Sequence, residues 1–468
     1  MTKYIDADYQ QIHMFPPCLE DFVSNDHPAR FIREFVDNLD LKELGFIIKT
    51  DEISPGAPTY SPRLLLCGWL YGYMENIRST RGLESACHNN LGLIWLMGMH
   101  KPDHNTFWRF WSNNSTAIAS VFKKSVLIAN DLGMINYAFH VLDGTKINAQ
   151  GSKSKTWNKN KLIEDLAQLD KSIEAISKEI ESSGNKSYGL PKKLSEKKTL
   201  RSEVKNKIKE LEKAGRNHMH PKDPDPTIMK TKGGLFELAY NAQAVVDGES
   251  NIIVAVNVVT TNDENMLVPM IDQVKQNLGQ VANENLADAG YHKESQFVEA
   301  ESKGYNVLVN NKDYKKTKEN PFHKNNFKYD EEKDVFVCPH KGVELINERK
   351  KNNSTNEFVY RCPKTNCPLL NKCSKSKSGR TIESTKGYQA KVRNNLRIVE
   401  PKNKNLLKKR GETIELCFAH IKTHSCFRRS HFKGLIKTVV QWSFVCAVQN
   451  IKKIREVVQL NKKIEMKA

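Results

Sequence analysis

The sequence predicts an α/β protein: a mixed sheet layered with helices, preceded by a helical domain and interrupted by two insertions. Three observations carry that reading. Short apolar runs, at 139–142, 236–247, 252–259 and 305–309, alternate with helical periodicities through the middle of the chain. Residues up to about 130 show helical spacing alone. Two stretches break the alternation: 157–220, charged with Leu and Ile at spacings of three and four, and 311–404, polar, lysine-rich and carrying four cysteines.

Residues 1–130 open with Asp26-His27-Pro28 ahead of a segment, Ala29 to Leu44, whose apolar residues approximate one helical face. A turn-rich stretch, Ser54 to Pro58, follows. Ser61-Pro62 then starts a strongly apolar helix, with proline suited to the first turn. Pro102 to Thr106 reads as a turn and N-cap for a helix holding Phe107, Trp108, Phe110 and Trp111. Arg78, Arg81 and Arg109, if exposed, suit such a bundle to docking on DNA. A packing domain with solvated arginines fits the pattern equally well.

Residues 131–156 begin the sheet. Phe139 to Leu142 reads as a short strand ending on Asp143, with Gly144 next. From Trp157 to Gly215, Leu162, Ile163, Leu166, Leu169, Ile173, Ile176 and Ile180 form one seam. Leu200, Val204, Ile208 and Leu211 form a second, with a break at Ser182-Ser183-Gly184-Asn185. This predicts an antiparallel coiled-coil hairpin spanning 157–220. Residues 221–310 resume the sheet. A β-hairpin turns at Asp247-Gly248-Glu249-Ser250, a helix runs from Glu264 to Leu278, and a strand ends at Asp288. A further helix and the strand Tyr305 to Val309 complete it. Residues 311–404 are the cysteine-bearing insertion, and 405–468 turn helical again.

Composition narrows the function. The 468 residues carry 73 Lys and Arg against 54 Asp and Glu, a net charge of +19, which draws a protein to polyanions and makes nucleic acid the first partner to consider. No apolar run reaches the ~20 residues that span a bilayer. The start, Met1 to Asp6, lacks the apolar core of a signal peptide. The expectation is a soluble cytoplasmic protein with no membrane partner. Ten cysteines in a reducing compartment read as thiols or metal ligands. Cys338, Cys362, Cys367 and Cys373 could hold a tetrahedral, structural Zn²⁺. Their spacings are looser than Cys-x-x-Cys, so buried or free thiols remain the alternative. Cys417, Cys426 and Cys446 read as core.

The chemistry rests on three acids. Asp143 and Asp288 each follow a strand, and Glu415 lies on a helix near the C-terminus. An Asp-Gly after a strand is also a common turn. Three carboxylates on separate elements can instead hold two divalent ions for phosphoryl transfer, with Mg²⁺ or Mn²⁺ suited to oxygen ligands. His292, four residues past Asp288, could approach a phosphate or be an ordinary surface histidine. Glu412 rivals Glu415, but only Glu415 stands seven residues before Lys422, two helical turns along one face.

Asp143-Gly144-Thr145-Lys146, Asp288-Ala289-Gly290-Tyr291 and Glu415 through Lys422 resemble the three acidic motifs of bacterial insertion-sequence DDE transposases. The N-terminal stretch resembles that family's helical domain at Pro28 to Phe31, Tyr60 to Pro62, Tyr71 to Glu84 and Pro102 to Thr106. So does the C-terminal run Arg429 to Gly434 through Lys453. The resemblance implies a ribonuclease H-like catalytic core, which the element order also matches. It further implies catalytic Asp143, Asp288 and Glu415 binding Mg²⁺ or Mn²⁺, Lys422 at the DNA backbone, transposon-end and target DNA as substrates, nucleoid association, and a homodimer in the DNA complex. Arg428, Arg429 and Lys433 are further candidates for phosphate contact, beside Arg78 and Arg81 of the helical domain. The implied reaction is DNA strand cleavage and strand transfer. A DNA-binding protein on the same scaffold without catalysis, and a metal-dependent nuclease, are the rival readings. One departure stands out: the family often places an arginine four residues before the glutamate, where this chain has Gly411 and offers Arg410 instead as a candidate DNA phosphate contact. A tyrosine usually precedes that arginine by three, and the matching place is Lys408.

Overall fold

A computed structural model describes residues 18–48, 59–183, 189–231, 233–311, 319–330, 332–340, 342–349, 357–363, 367–374, 376, 379–385 and 387–465. The stretch Ser54 to Pro58 and the hairpin tip at Gly184-Asn185 lie outside them. The chain divides into two units, Met1–Ser125 with Phe444–Ala468, and Val126–Ser443.

The first unit is helical, and its helix starts follow the local chemistry. His27 Nδ1 accepts from Ala29 N ahead of Pro28–Asp37, Ser61 caps Pro62–Met74, and Asp103 Oδ1 accepts from Thr106 N ahead of His104–Asn113. The first helix stops at Asp37, short of the expected Leu44. The core is aromatic: Trp69 packs 4.7 Å from Trp111 between ring centres, and the edge of Phe444 meets Trp111 at 5.2 Å. Such pairs contribute about 0.5–1.5 kcal/mol each beyond the area they bury.

The second unit holds a six-stranded mixed sheet. Its strands are numbered with the chain: β1 Phe139–Asn148, β2 Trp157–Asn158, β3 His218–Met219, β4 Thr227–Lys230, β5 Phe236–Asp247, β6 Ile253–Val259, β7 Glu284–Ala287 and β8 Val307–Val309. β2 and β3 pair only with each other. In the main sheet β1 is central, antiparallel to β5 and parallel to β7, and β8 runs parallel beyond β7. On the far side of β5 lie β6 along most of its length and β4 at its start. The β5–β6 turn is the expected one. Asp247 Oδ1 accepts from Ser250 N at 2.9 Å and Ser250 Oγ at 2.8 Å.

β1 corrects the short strand expected to end at Leu142. It runs on through Asp143 and Gly144 to Asn148, because β5 stays paired with it over that whole length. Only the β7 partner stops at Leu142. Between β2 and β3 two long helices, Lys159–Ser183 and Leu190–Lys213, pack together. The ion pairs Lys159–Glu212 (3.1 Å) and Asp170–Arg201 set them antiparallel.

The lysine-rich, cysteine-bearing stretch folds as a sheet of its own. It forms an antiparallel five-stranded sheet in the order β13-β12-β11-β10-β9: β9 Lys328–Asp330, β10 Val335–Val337, β11 Glu344–Arg349, β12 Glu357–Arg361 and β13 Thr381–Thr385. Phe327, Phe336, Leu345, Tyr360, Ile382 and Tyr388 make its core. Among the described residues no helix is long and apolar enough to cross a membrane.

Candidate active site

The acidic residues meet at one end of the main sheet. The last β1–β7 ladder pair is Leu142 with Ala287, so the next residue on each parallel strand is an aspartate, Asp143 and Asp288. Each carboxylate accepts from a nearby backbone amide: Asp143 Oδ1 from Gly144 N within β1, and Asp288 Oδ1 from Gly290 N in the turn after β7, both at 2.7 Å. Asp143 is largely buried. Burial, and after it the neighbouring Asp288 carboxylate, push its carboxyl up to about 6, against the pull of Arg410 and the Gly144 N–H.

Glu415 reaches this end of the sheet through a helix with an altered pitch. Pro401–Arg410 is α-helical, Gly411–Glu415 winds as one π turn, and Leu416–Thr423 returns to α. A π turn brings residues five apart onto one face. Arg410 therefore shares a face with Glu415. Its Nη1 stands 3.2 Å from Asp143 Oδ2, and its Nη2 stands 3.9 Å from Glu415 Oε1. Glu415 is exposed, and it is the acid paired with Arg410; Glu412 points into solvent.

A fourth acid went unread in the sequence. Asp263 follows β6 in a polar joint, Thr260 to Asn265, at the same end of the sheet. Its Oδ1 accepts from Asn241 Nδ2 and Gln243 Nε2, both at 2.7 Å, and Lys146 Nζ lies 3.8 Å from Oδ2. The buried Tyr291 hydroxyl donates to Gln243 Oε1, and burial followed by Asp263 raises that hydroxyl well above its ordinary range. The glycines after the two aspartates make room for Asp263. A Cβ on Gly144 would lie 2.4 Å from Asp263 Oδ1, and one on Gly290 would lie 3.2 Å from Oδ2.

The other expected residues are distributed as follows. Lys422 Nζ donates to Lys146 O at 3.0 Å, tying its helix to β1. Arg428 Nε donates to Lys422 O at 3.1 Å, and the Arg428–Ser430 backbone pairs with Asn148 at the end of β1. Arg428, Arg429 and Lys433 are exposed on that edge. In the helical unit Arg81 and Arg109 are exposed, but Arg78 is buried: its guanidinium lies over the Tyr73 ring and donates to Asn76 Oδ1 at 2.8 Å. His292 is buried against the edge of Phe297 at 5.2 Å, not on the surface. Cys417 and Cys446 are core; Cys426 is exposed, contrary to expectation.

Hard divalent cations take carboxylate oxygens, and the donor chemistry here matches. Asp143 and Asp288 are adjacent, and the proton affinity of Asp143 is raised where a cation would relieve it. Among the described residues no three carboxylate, imidazole or thiol groups stand at metal-ligand spacing. In this arrangement Arg410 supplies the positive charge between Asp143 and Glu415.

Two family models match the chain. A transposase domain (DUF772) covers residues 17–113, and a transposase DDE domain covers residues 337–455. Both matched models are transposase domains, and together they support an insertion-sequence DDE transposase with a role in DNA transposition. The second match includes Glu415, whereas Asp143 and Asp288 lie outside both spans. No curated protein and no solved structure matches.

Proposed function

We propose that the protein is a transposase that cleaves DNA at transposon ends and joins the freed 3′ ends to target DNA, using Asp143, Asp288 and Glu415 as the catalytic acids. The observation that carries this reading is the register of β1 and β7. It sets two aspartates side by side at one sheet end, with Arg410 between Asp143 and Glu415. The strand order β6-β5-β1-β7-β8, antiparallel on one side of β1 and parallel on the other, supports a ribonuclease H-like core.

The three carboxylates would hold Mg²⁺ or Mn²⁺, which activates an attacking oxygen and stabilises the leaving one. The chain itself supplies position and charge. Asp263, fixed by Asn241 and Gln243, packs against the backbone at Gly144 of β1 and Gly290 after β7 and so orients the two aspartates. Arg410 neutralises Asp143 and Glu415 and keeps them from repelling each other. Lys422, Arg428, Arg429 and Lys433 neutralise phosphates of the bound duplex, with Lys422 also bracing its helix on β1. Arg81 contributes from the helical unit, and Arg78 acts there through packing rather than direct contact. We further propose that the protein acts on nucleoid DNA as a homodimer pairing two ends.

The test is a strand-transfer assay with a donor duplex carrying the element's terminal repeat. Asp143→Asn, Asp288→Asn and Glu415→Gln should each abolish cleavage and joining while end binding stays near wild type. Full activity in any one removes that residue from the site. Cleavage without joining in the wild type would make the protein a nuclease, and end binding without cleavage would make it a binding protein.

A further inference from the structure

We propose that Cys338, Cys362, Cys367 and Cys373 form a four-sulfur site for one structural zinc ion that staples the five-stranded sheet. Spread over 36 residues of sequence, the four side chains line a single narrow cavity of about 30 Å³. Each is brought there by a turn with its own backbone bonds. Cys338 leaves β10, and the chain folds straight back, with Cys338 N donating to Val343 O at 2.9 Å and Gly342 N to Cys338 O at 3.1 Å. Cys362 leaves β12, and its N–H donates to Arg380 O at 2.9 Å, on the approach to β13. Cys367 and Cys373 flank the helical turn Leu370–Cys373, closed by Leu370 N to Cys367 O and Cys373 N to Leu369 O, each 2.9 Å.

Three properties point to a metal. No disulfide joins any of the four, all are half-buried, and none sits in mid-strand. The core they border contains six buried side chains, and Cys338, Cys362 and Cys373 pack directly on it. A core that small gains from a metal or disulfide staple. The Arg380 guanidinium also borders the cavity and donates to Cys373 O at 3.4 Å, which places a fixed positive charge beside a site that becomes anionic when loaded.

Four sulfurs complete a tetrahedral shell and leave no position for water, so the ion's role is structural. Binding turns the thiols into thiolates and releases their protons to solvent. His340 lies on the surface against Phe322 and is no part of the set. Among the described residues no three sulfurs stand at coordination spacing, so the turns must close in around the ion.

The experiment uses full-length protein prepared under reducing conditions without chelator. Elemental analysis should find about one zinc per chain. Exchange for Co²⁺ should give the tetrahedral d–d bands and the thiolate-to-cobalt absorption of a four-sulfur site. Cys362→Ser combined with Cys373→Ser should lose both signals. Cys18→Ser, an exposed thiol of the other unit, should keep them. Asp143→Asn should also keep the zinc, which separates this site from the acidic one whatever its catalytic role. If the double variant fails to fold, the cobalt spectrum of the wild type decides alone. Zinc retained by a folded double variant, a cobalt spectrum of oxygen or nitrogen ligands, or a non-reduced mass showing two disulfides would overturn the proposal.

Discussion

Replacing Asp143 with asparagine is expected to stabilise the protein by about 1–3 kcal/mol above pH 7 while removing a proposed catalytic acid. The magnitude follows from the carboxyl's surroundings. Burial and the Asp288 charge move it from 3.8 to about 6. In the unfolded chain it ionises near 3.8, so below that pH both states hold the proton and nothing is lost. Between about 4 and 6 the unfolded state sheds its proton first, and folding becomes less favourable as pH rises. Above about 6 the full cost is present, roughly two pH units at about 1.4 kcal/mol each. With 19% of the side chain exposed, solvent screens little of it. Asparagine removes the charge and keeps an oxygen for Gly144 N. It also gives up the Arg410 ion pair, which lowers the gain below the upper figure. Urea unfolding of EDTA-treated wild type and variant, from pH 4.5 to 8, measures the difference. The gap should widen as pH rises from 4.5 to about 6 and stay level above it, and Mg²⁺ should narrow it by stabilising only the wild type. A variant less stable than wild type at pH 8, or a gap independent of pH, would refute the reasoning.

Two further outcomes are expected. Gly144→Ala places a Cβ 2.4 Å from both Asp263 Oδ1 and Gln243 Nε2. It should cut cleavage at least tenfold, equivalent to about 1.4 kcal/mol, with circular dichroism unchanged; wild-type cleavage would dismiss Asp263 as a positioning group. Replacing the exposed Arg428 and Arg429 with alanine should flatten the slope of log K against log salt by roughly 1 to 2 units, equally on transposon-end and unrelated duplexes. Losses confined to the transposon end would move sequence recognition to that edge of the sheet.

How far the sequence could be read depended on where the energy of each element lies. The helix starts at Pro28, Pro62 and His104 were legible because caps are local chemistry. So were the two antiparallel helices of 159–213, although Ile163 and Leu200 of the expected seams are exposed, and the Asp247–Ser250 turn. The second half of β1 was not legible. Asp143, Gly144 and Lys146 have little intrinsic strand character, and what holds them extended is the ladder to β5 almost a hundred residues away. The five-stranded sheet escaped for a related reason. Its strands are short and their apolar residues do not alternate cleanly: in β11 Leu345 is buried while its neighbour Ile346 is exposed. The aspartates themselves were legible as residues following apolar runs. Asp263 was not, because nothing in its own loop announces which end of the sheet it serves.

Arg410 shows how a departure in spacing can be absorbed by backbone geometry. Five positions of α-helix rotate a side chain by about 500°, roughly 140° off the starting face. On that count an arginine five residues before Glu415 faces away from it. The chain instead inserts its extra residue into a π turn at Gly411–Glu415, where the five-residue step closes one turn. Gly411 takes the position where an arginine would otherwise stand; a Cβ there would make only ordinary contact with Glu415, 3.7 Å from Oε1. The guanidinium thus arrives between Asp143 and Glu415 by a different backbone route. The helix on either side keeps its own register, with Ile414, Phe418 and Ile421 buried and Lys422 bonded to β1. A π turn gives up part of the regular α-helical hydrogen-bond ladder, and such turns recur at functional sites. Its placement directly before Glu415, rather than elsewhere along the helix, is what the acid–arginine geometry requires.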